Sequence, residues 1–581
     1  QTLRVLHMNN KKIAPQVDVV ISGLGPTGLT LAHLLGKRGL SVVVLEREPQ
    51  FYGNARAVYT DDECLRIFQA AGMAEELTKD MLLNATFQWL LPNGEVLHQL
   101  IQTARPYGWP ANNLLYQPLM ETTLADGLVR YPLVSVRRGR EFTRFIQDAD
   151  GVTVMHIESQ GAQYSKQAPV LGETPAPQEG EEALRARYFV ACDGGRSAVR
   201  AQTGIKMTGK SFPNPWIVVD IKQKEGEDCL RHLPYFSFIC DPECPTVSCR
   251  QPYGHHRFEF MLMPGQTKEH MEDPQTVRAY LSKYVDVNKV EILRSLVYTF
   301  NALVAETWRD GRVFLAGDAA HMTPQFVGQG MNAGVRDAYN LAWKLDAVLR
   351  GQACDSLLDS YQSERRPHAQ AMIDLSIHMK NFVSTANPLL CSLRNLATRT
   401  ARLTPGLREF LSEAKFKPRP RYESSAYFGL PRQRRAGLEG EQLPQPQLVD
   451  RESRPLLMDE ALGEGYALIG YGVDPRQSLL DADLQQLARL ETRYLTLYPL
   501  GGRPQGKVSA CAPQGVDEWE DMTGECIRRF KEAGYPVGTV AIVRPDRFVF
   551  AMARPGAVQS AIHYLLEQLG LQAANSQREA S

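Results

Sequence analysis

The feature that most constrains the fold is a run of glycines between two short apolar segments near the N-terminus. Gly23-Leu24-Gly25-Pro26-Thr27-Gly28 follows the apolar run 17–21 and opens a helical pattern over 26–38. A second apolar run, 41–45, comes after Gly39. Strand, helix and strand within about thirty residues have the size of a βαβ unit. The pattern predicts a Rossmann-type dinucleotide-binding domain, because a glycine-rich turn in an unrelated fold would not require these flanking elements.

Each glycine of the motif has its own physical reason. Gly23 permits the tight turn, Gly25 lets a pyrophosphate approach the backbone, and Gly28 lets helix and strand pack closely. The helix N-terminus then offers unpaired N–H groups and a positive dipole end to the phosphates. Glu46 ends the second strand 18 residues after Gly28. A carboxylate there accepts hydrogen bonds from ribose hydroxyls and repels a 2′-phosphate, but it does not distinguish FAD from NAD.

Two later segments favour a flavin. The run 191–200 contains Asp193 after an apolar strand, and the run 311–321 is another strand that ends in Gly317-Asp318. The second run continues through Pro324 and Gly328-Gln329-Gly330-Met331-Asn332 into an amphipathic helix. An acidic residue at the end of a strand can hold a ribityl hydroxyl. A glycine-rich helix N-terminus can donate N–H groups to the flavin O2 and stabilise negative charge on the reduced ring.

Together these three segments, in their order and spacing, resemble the single-component flavoprotein aromatic hydroxylases, the family typified by para-hydroxybenzoate hydroxylase. Within that family the chain is most similar to the 3-(3-hydroxyphenyl)propionate hydroxylases, from about residue 17 to the C-terminus. The further pieces that carry the resemblance are Ala55-Arg56-Ala57-Val58, Asp61-Asp62-Glu63, Trp216-Ile217-Val218-Val219-Asp220-Ile221, Arg257-Phe258-Glu259-Phe260-Met261-Leu262-Met263-Pro264-Gly265, Tyr361-Gln362-Ser363-Glu364-Arg365-Arg366 and Val543-Arg544-Pro545-Asp546-Arg547-Phe548.

The resemblance implies roles for individual residues. Glu46 would bind the adenosine ribose, Arg56 and Gln117 the FAD chain, and Asp318 the ribityl. Asp193 belongs to the motif that the family links to both FAD and NAD(P)H, and the segment 328–332 would lie under the pyrimidine ring. The cofactor-binding residues predicted in this way are Gly23, Gly25, Pro26, Thr27, Gly28, Glu46, Arg47, Arg56, Gln117, Asp193, Asp318, Gly328, Gly330, Met331 and Asn332.

The predicted catalytic residues are Pro324, His232, Tyr235 and Arg257. The resemblance places Pro324 beside the flavin and near the substrate. The other three lie in a β-rich middle segment where each can orient a phenol or a carboxylate, although most such residues in proteins are surface or satisfied core residues. No metal is predicted, because the spacing of the cysteines and histidines over 240–256 fits structural zinc poorly.

The predicted fold class is α/β. A Rossmann-type FAD-binding domain carries an inserted antiparallel β-sheet that forms the substrate domain, and a thioredoxin-like domain follows at the C-terminus. The predicted boundaries are 16–80, 103–205 and 290–400 for the FAD-binding domain, 81–102 and 206–289 for the substrate domain, 401–448 for a linker and 449–581 for the C-terminal domain. The C-terminal domain is similar to that of the subfamily and contains no C-x-x-C motif, so redox activity is not expected there.

The predicted function follows from the resemblance. With FAD, NADH or NADPH, and O2, the protein would hydroxylate a phenol ortho to its hydroxyl through a flavin C4a-hydroperoxide, with 3-(3-hydroxyphenyl)propionate as the first substrate expected. The alternatives are a hydroxylase of another phenol or of a polycyclic aromatic, a non-oxygenating flavoprotein dehydrogenase or oxidase, and a flavin-binding sensor or scaffold. The choice between NADH and NADPH stays open.

Composition bears on partners and location. Lys+Arg and Asp+Glu both number 65, so net charge does not indicate binding to nucleic acid or to an anionic membrane. Residues 1–16 lack the apolar core of a secretory signal, and the ten cysteines are scattered, as is typical of reduced thiols. These observations predict a cytoplasmic protein with no nucleic-acid or membrane partner. The partner expected from the resemblance is a small phenolic substrate, and the expected assembly is a homodimer.

Overall fold

The computed structural model describes residues 17–51, 56–161, 170–212, 215–423, 427–504 and 517–571. The segment 1–16, on which the absence of a secretory signal was argued, lies outside the described residues. No helix in the described part of the chain combines the length and the apolar character needed to cross a bilayer. The chain has a mixed α/β fold with two large sheets beside a third, C-terminal one.

The predicted βαβ unit is confirmed. The strands Val17–Ser22 and Val42–Glu46 pair in parallel, and the helix Pro26–Lys37 connects them. Both strands are almost fully buried, as expected for a parallel sheet covered on both faces. The sheet has eight strands, and the others are Val134–Arg138, Arg140–Gln147, Val152–Glu158, Glu182–Ala191, Arg309–Asp310 and Val313–Leu315.

Two helices pack against each other beside the glycine-rich turn. The helix Gln329–Leu349 packs against Pro26–Lys37. Their approach is close at Gly334, where an added Cβ would lie 2.2 Å from Oγ1 of Thr27. The remaining helices of this region are Asp62–Ala70, Ala74–Thr78, Gln117–Gly127, Ala198–Thr203 and Ser360–Val383, and three short strands, Tyr59–Asp61, Leu82–Leu83 and Asn112–Leu114, form a small sheet beside them.

The middle segment forms a second sheet, of seven strands. It is antiparallel except where Phe87–Leu90 pairs in parallel with Phe236–Ile239. Its last strand, Val290–Tyr298, pairs with Trp216–Gln223 and lies just beyond the boundary predicted at residue 289. The other strands are Val96–Leu100, Thr246–Arg250 and His255–Met261; the helices Lys268–Glu272 and Pro274–Leu281 accompany the sheet, and Met207–Ser211, Asn301–Ala305 and His321–Met322 form a separate small sheet.

The segment predicted as a linker contains structured and buried residues. It begins within the helix Pro388–Leu403 and includes the helix Pro405–Ser412. Tyr422 and Leu443 are buried, because this stretch packs against the C-terminal part of the chain, where Tyr422 stacks on Phe548 at 4.2 Å between ring centroids. The domain boundaries as a whole stay a prediction.

The C-terminal part has a seven-stranded sheet of its own. The strands are Gln447–Val449, Pro455–Leu457, Ala467–Tyr471, Arg493–Pro499, Asp517–Asp521, Val540–Val543 and Val549–Ala553. The helices are Met458–Leu462, Asp481–Arg489, Glu525–Glu532 and Val558–Gln568. The structure connects this part to the first sheet's helices through a buried charge network in which Glu364 accepts from Arg544 at 2.6 Å and from Lys344 at 2.7 Å.

Candidate active site

A cavity lies between the glycine-rich turn of the first sheet and the apolar face of the second. One end is lined by Gly25, Pro26 and Thr27, and the other by aromatic side chains such as Phe236 and Phe238. Ligands of open α/β sheets bind outside the carboxyl ends of the strands, where this cavity begins. The cavity therefore joins a dinucleotide-binding turn to an apolar chamber.

The glycine-rich turn has the geometry that a pyrophosphate requires. A Cβ on Gly25 would meet no atom within 4 Å, so the backbone there is open to the cavity. A Cβ on Gly28 would lie 2.1 Å from the carbonyl oxygen of Gly23, which enforces close packing. No described side chain caps the helix that begins at Pro26, so its N-terminal amides remain available to an anion. The residues at this turn fit the pyrophosphate of FAD.

Glu46 lies at the end of its strand, as predicted. Its carboxylate accepts hydrogen bonds from the backbone N–H groups of Leu24, at 2.8 Å, and Glu48, at 2.9 Å. A carboxylate has about four acceptor positions, so ribose hydroxyls can still bind here. Arg47 is more exposed, forms an ion pair with Glu48 at 3.5 Å, and is not among the residues that line the cavity.

Gln117 positions the segment that holds Arg56. Its Oε1 accepts from the backbone N–H groups of Arg56, at 2.8 Å, and Ala57, at 2.5 Å, while its Nε2 donates to Glu121 at 2.6 Å. Burial raises the pKa of Glu121 to about 7. Both Arg56 and Gln117 line the cavity, so the structure brings these two predicted FAD-binding residues together.

The second glycine-rich segment forms another part of the wall. Gly328 has φ of +61°, in the left-handed region, and the helix begins directly after it at Gln329. Gly330, Met331 and Asp318 line the cavity. The amides at this helix N-terminus can therefore face a flavin.

Three predicted residues lie beside the cavity without lining it. Asn332 is buried and donates to the carbonyl of Gly328 at 2.7 Å, which fixes the turn. Pro324 is buried, and its carbonyl accepts from the Ser376 hydroxyl at 2.5 Å. Asp193 accepts from the Val199 amide at 3.3 Å, and burial raises its pKa. The neighbours of these residues in sequence, rather than the residues themselves, contact the cavity.

Aromatic rings dominate the substrate end of the cavity. Phe87 stacks on Phe236 with 4.5 Å between ring centroids, and Trp89 stacks on Phe238 at 5.2 Å. Stacked rings on adjacent strands give a stiff, flat wall. Such a wall suits a planar aromatic ligand.

Arg257 is the predicted catalytic residue of the middle segment that lines the cavity. It is 2% exposed, and its Nε donates to Asp220 at 2.7 Å. Its Nη1 donates to the carbonyl of Arg56 at 2.6 Å, so it also connects the substrate sheet to the FAD-binding segment. Arg294 forms an ion pair with the other oxygen of Asp220 at 2.6 Å. Much of the hydrogen-bonding capacity of Arg257 is thus used by the protein.

His232 and Tyr235, by contrast, do not lie among the residues that line the cavity. His232 is exposed, with Nε2 3.0 Å from the carbonyl oxygen of Tyr284. Tyr235 is 39% exposed and lies under the Arg250 guanidinium. Both residues precede the strand Phe236–Ile239, in the turn that leads into it, and the strand's own Phe236 and Phe238 line the cavity instead. This placement does not support the catalytic roles predicted for them.

Sequence reasoning missed two charged residues in the cavity wall, Glu259 and Lys417. Glu259 is buried and accepts a hydrogen bond from the Gln325 amide. Lys417 lies in the segment predicted as a linker, and its Nζ donates to Asp61 at 2.9 Å. Alternation along His255–Met261 places Glu259 on the same face as Arg257, and the sequence alone shows that alternation. No pattern in the sequence indicates that Lys417 reaches the cavity.

Fold and cavity together define an FAD-binding protein with an aromatic chamber, and the comparisons agree. The family described as "FAD binding domain" matches residues 16–376, and the family described as "HcaD C-terminal domain" matches 440–568. The chain is 35% identical over 96% of its length, and 95% of the relative, to the 3-(3-hydroxy-phenyl)propionate/3-hydroxycinnamic acid hydroxylases of Shigella sonnei (strain Ss046) and Escherichia coli (strain K12 / DH10B). The chain therefore belongs to the FAD-dependent aromatic hydroxylases and is a flavin-dependent monooxygenase.

Solved structures show the same fold at lower identity. The flavin-dependent monooxygenase PieE, in complex with FAD and substrate, has a TM-score of 0.74 at 21% identity, with 96% of this chain and 100% of that chain covered. Aklavinone-11 hydroxylase, in a ternary complex with FAD and aklavinone, has a TM-score of 0.72 at 22% identity with the same coverage. Both alignments extend over nearly the whole chain, including its C-terminal part.

Proposed function

We propose that the protein hydroxylates a phenol ortho to its hydroxyl group with NADH or NADPH as reductant, and that 3-(3-hydroxyphenyl)propionate is its substrate. The observation that carries the proposal is the single cavity that connects the glycine-rich turn at Gly25 to the stacked rings around Phe236. A cofactor bound at one end then meets an aromatic ring held at the other. The relatives' names support the choice of acid.

The residues at the turn would hold the cofactor. Gly25 and the helix N-terminus at Pro26 would bind the pyrophosphate, Glu46 the ribose, and the segment from Gly328 the flavin ring. When bound, FAD supplies electron transfer from NAD(P)H and activation of O2. Asp318 lines the cavity between these two ends and would hold the ribityl chain.

The chain's own contribution to the reaction is to orient the ring and exclude water. The rings of Phe87 and Phe236 would hold the substrate ring flat, and apolar walls keep water away from reactive oxygen. Arg257 would pair with the carboxylate of the substrate. This last part of the proposal requires Arg257 to accept a ligand beside Asp220, its present partner.

The ion pair between Arg257 and Asp220 favours a second candidate substrate, an uncharged phenol or a polycyclic phenol. Asp220 already partners Arg257 and Arg294, at 2.7 and 2.6 Å. A ligand without a carboxylate would leave this arrangement undisturbed. The aromatic wall would serve either kind of ligand equally.

A panel of phenols separates the possibilities. Purified holoenzyme is incubated with NADH or NADPH and one of three phenols: 3-(3-hydroxyphenyl)propionate, its uncharged amide, or a bicyclic phenol. The masses of the products are determined by mass spectrometry. We expect a catechol from the acid at the highest kcat/KM. Oxygenation of the uncharged compounds alone would overturn the assignment of the acid, and oxidation without oxygen insertion would indicate a dehydrogenase. If no substrate stimulates NAD(P)H consumption, the flavin is structural and the protein is a sensor or scaffold.

The remaining proposals concern the whole molecule. We propose that the protein is a cytoplasmic homodimer and that the C-terminal part, with the sheet that includes Ala467–Tyr471 and Arg493–Pro499, is a thioredoxin-like domain without redox activity. Three parallel neighbouring strands with an antiparallel pair at one side support this comparison. Size-exclusion chromatography with light scattering tests the dimer, for which twice 65.0 kDa is expected.

A further inference from the structure

A buried carboxyl group faces the part of the cavity where the two large sheets meet. Glu259 lies on His255–Met261, is 5% exposed, and lines the cavity. Among the described residues, the only hydrogen bond to its carboxyl comes from the amide of Gln325. Gln325 belongs to the short turn that ends at Gly328, where the flavin-facing helix begins. Glu259 therefore lies where substrate sheet and flavin-facing loop touch.

We propose that Glu259 binds the substrate's phenol group and accepts its proton, while Gln325 fixes the carboxyl in position. This assignment rests on the proposed phenol hydroxylation and names the residue that activates the ring. A ring attacks an oxygen donor more readily as a phenolate, because the ionised oxygen adds electron density at its ortho carbons. A base within hydrogen-bond reach is therefore needed in a chamber without water.

The charges around Glu259 are compatible with a proton transfer from the phenol. Arg257 lies on the same strand two residues away, Asp220 lies on the strand beside it, and Arg294 lies on the next strand beyond that one. Cys249, on the other neighbouring strand, contributes a thiol whose pKa is raised by burial and which stays neutral. Two guanidinium groups and one carboxylate leave one positive charge in excess. Before the substrate binds, that excess balances one negative charge on Glu259.

The proton affinity of Glu259 is also in the useful range. Burial raises the pKa of Glu259 to about 7, and Arg257 and Arg294 work against that rise while Asp220 reinforces it. A general base is most effective when its pKa lies near the working pH. An ordinary glutamate, with a pKa of about 4.3, is a poor base for a phenol with a pKa of about 10.

The step is a simple proton transfer. The phenol O–H bond breaks, the proton moves to a carboxylate oxygen of Glu259, and the electron pair stays on the phenol oxygen. After oxygen insertion, Glu259 returns its proton to the ring oxygen, and the proton of the hydroxylated carbon neutralises the oxygen atom that remains on the donor. The ring regains aromaticity, and the carboxylate is restored for the next turnover.

The experiment compares Glu259→Gln with Glu259→Asp and with a matched control, Glu291→Gln, an exposed glutamate of the same sheet. Each holoenzyme is checked for FAD content and Tm, and catechol formation from 3-(3-hydroxyphenyl)propionate is then followed from pH 5.5 to 10. Wild type and control should gain activity with a midpoint near pH 7. Glu259→Gln should lose activity by roughly 100-fold or more at pH 7.5 and recover only toward about pH 10, where the phenol ionises by itself.

Two further readouts separate a chemical role from a structural one. Glu259→Asp should retain a midpoint below pH 8 with a lower rate, because it keeps a carboxyl. A more acidic, ring-fluorinated analogue should be turned over by Glu259→Gln with a smaller deficit than the parent acid. If wild type forms catechol while Glu259→Gln keeps its rate and midpoint, or if the deficit is equal for both phenols, the assignment of Glu259 is wrong and the proposed function stands. If wild type forms no oxygenated product, the proposed function and the assignment of Glu259 are both wrong.

Discussion

Two glycines of the turn predicted to bind the pyrophosphate, Gly25 and Gly28, should respond in different ways to the same small substitution. At Gly25 an added Cβ meets no atom within 4 Å and φ is −76°, so alanine fits the folded chain without strain. We expect the Tm of the apoprotein to change little in Gly25→Ala, within the equivalent of about 1 kcal/mol. The new methyl group would instead occupy the space that a pyrophosphate needs.

The loss of FAD affinity can be estimated from that overlap. Overpacking by one methyl group costs about 1–3 kcal/mol, which corresponds to an increase of roughly 5- to 150-fold in the Kd for FAD. Titration of apoprotein with FAD, followed by quenching of flavin fluorescence, measures this change. If Gly25→Ala binds FAD as tightly as wild type does, the pyrophosphate is not at this turn and the placement of the cofactor is wrong.

Gly28→Ala is the matched comparison. Its Cβ would lie 2.1 Å from the carbonyl oxygen of Gly23, so helix and turn must separate by about 1 Å to reach an ordinary contact. The apoprotein itself should then lose about 1–3 kcal/mol or more of stability and show a lower Tm before any FAD is added. An unchanged Tm in Gly28→Ala would contradict the close packing of helix and strand.

Three further outcomes concern charged side chains. Glu46→Arg replaces an acceptor by a cation, and the Kd for FAD should rise at least about tenfold in the same titration. Arg257→Met leaves Asp220 with one guanidinium partner fewer, so the urea midpoint should fall by the equivalent of about 1–3 kcal/mol; an unchanged midpoint would mean that the pair adds nothing. Glu364→Gln removes the charge that two buried cations share and should cost about 3–5 kcal/mol. These cations hold the pKa of Glu364 below its usual range. Wild type therefore keeps this stabilisation above about pH 4.3 and loses it only as the pH falls further. Equal urea midpoints for Glu364→Gln and wild type at pH 7 would refute this prediction.

What could be predicted from the sequence is what depends on neighbours in the chain. The turn at Gly23, Gly25 and Gly28 and the position of Glu46 follow from local chemistry, since strand, turn and helix lie within one short segment. The turn at Gly328 follows similarly, because a glycine before a helix with polar and small residues indicates an open N-terminus. The structure has helix starts directly after Gly25 and Gly328 and a strand that ends at Glu46, as the sequence predicts.

What could not be predicted depends on which strands are paired and which face is covered. Tyr235 and Phe236 are adjacent in sequence, and only the packing of the sheet decides that the phenylalanine faces the cavity. Lys417 reaches the wall from a segment rich in proline and arginine, where composition favours a linker. Glu259 was visible as a neighbour of Arg257 but not as a buried acid, because its burial comes from a loop more than sixty residues later in the chain.

The central claim is that the chamber places a phenol where oxygen from O2 is inserted into its ring. The most direct test is a reaction under ¹⁸O₂ with FAD-loaded enzyme, NAD(P)H and 3-(3-hydroxyphenyl)propionate, followed by mass spectrometry of the product. We predict a catechol that carries one ¹⁸O atom, next to the original hydroxyl. Unlabelled product, or NAD(P)H consumption that yields only hydrogen peroxide, would contradict the account.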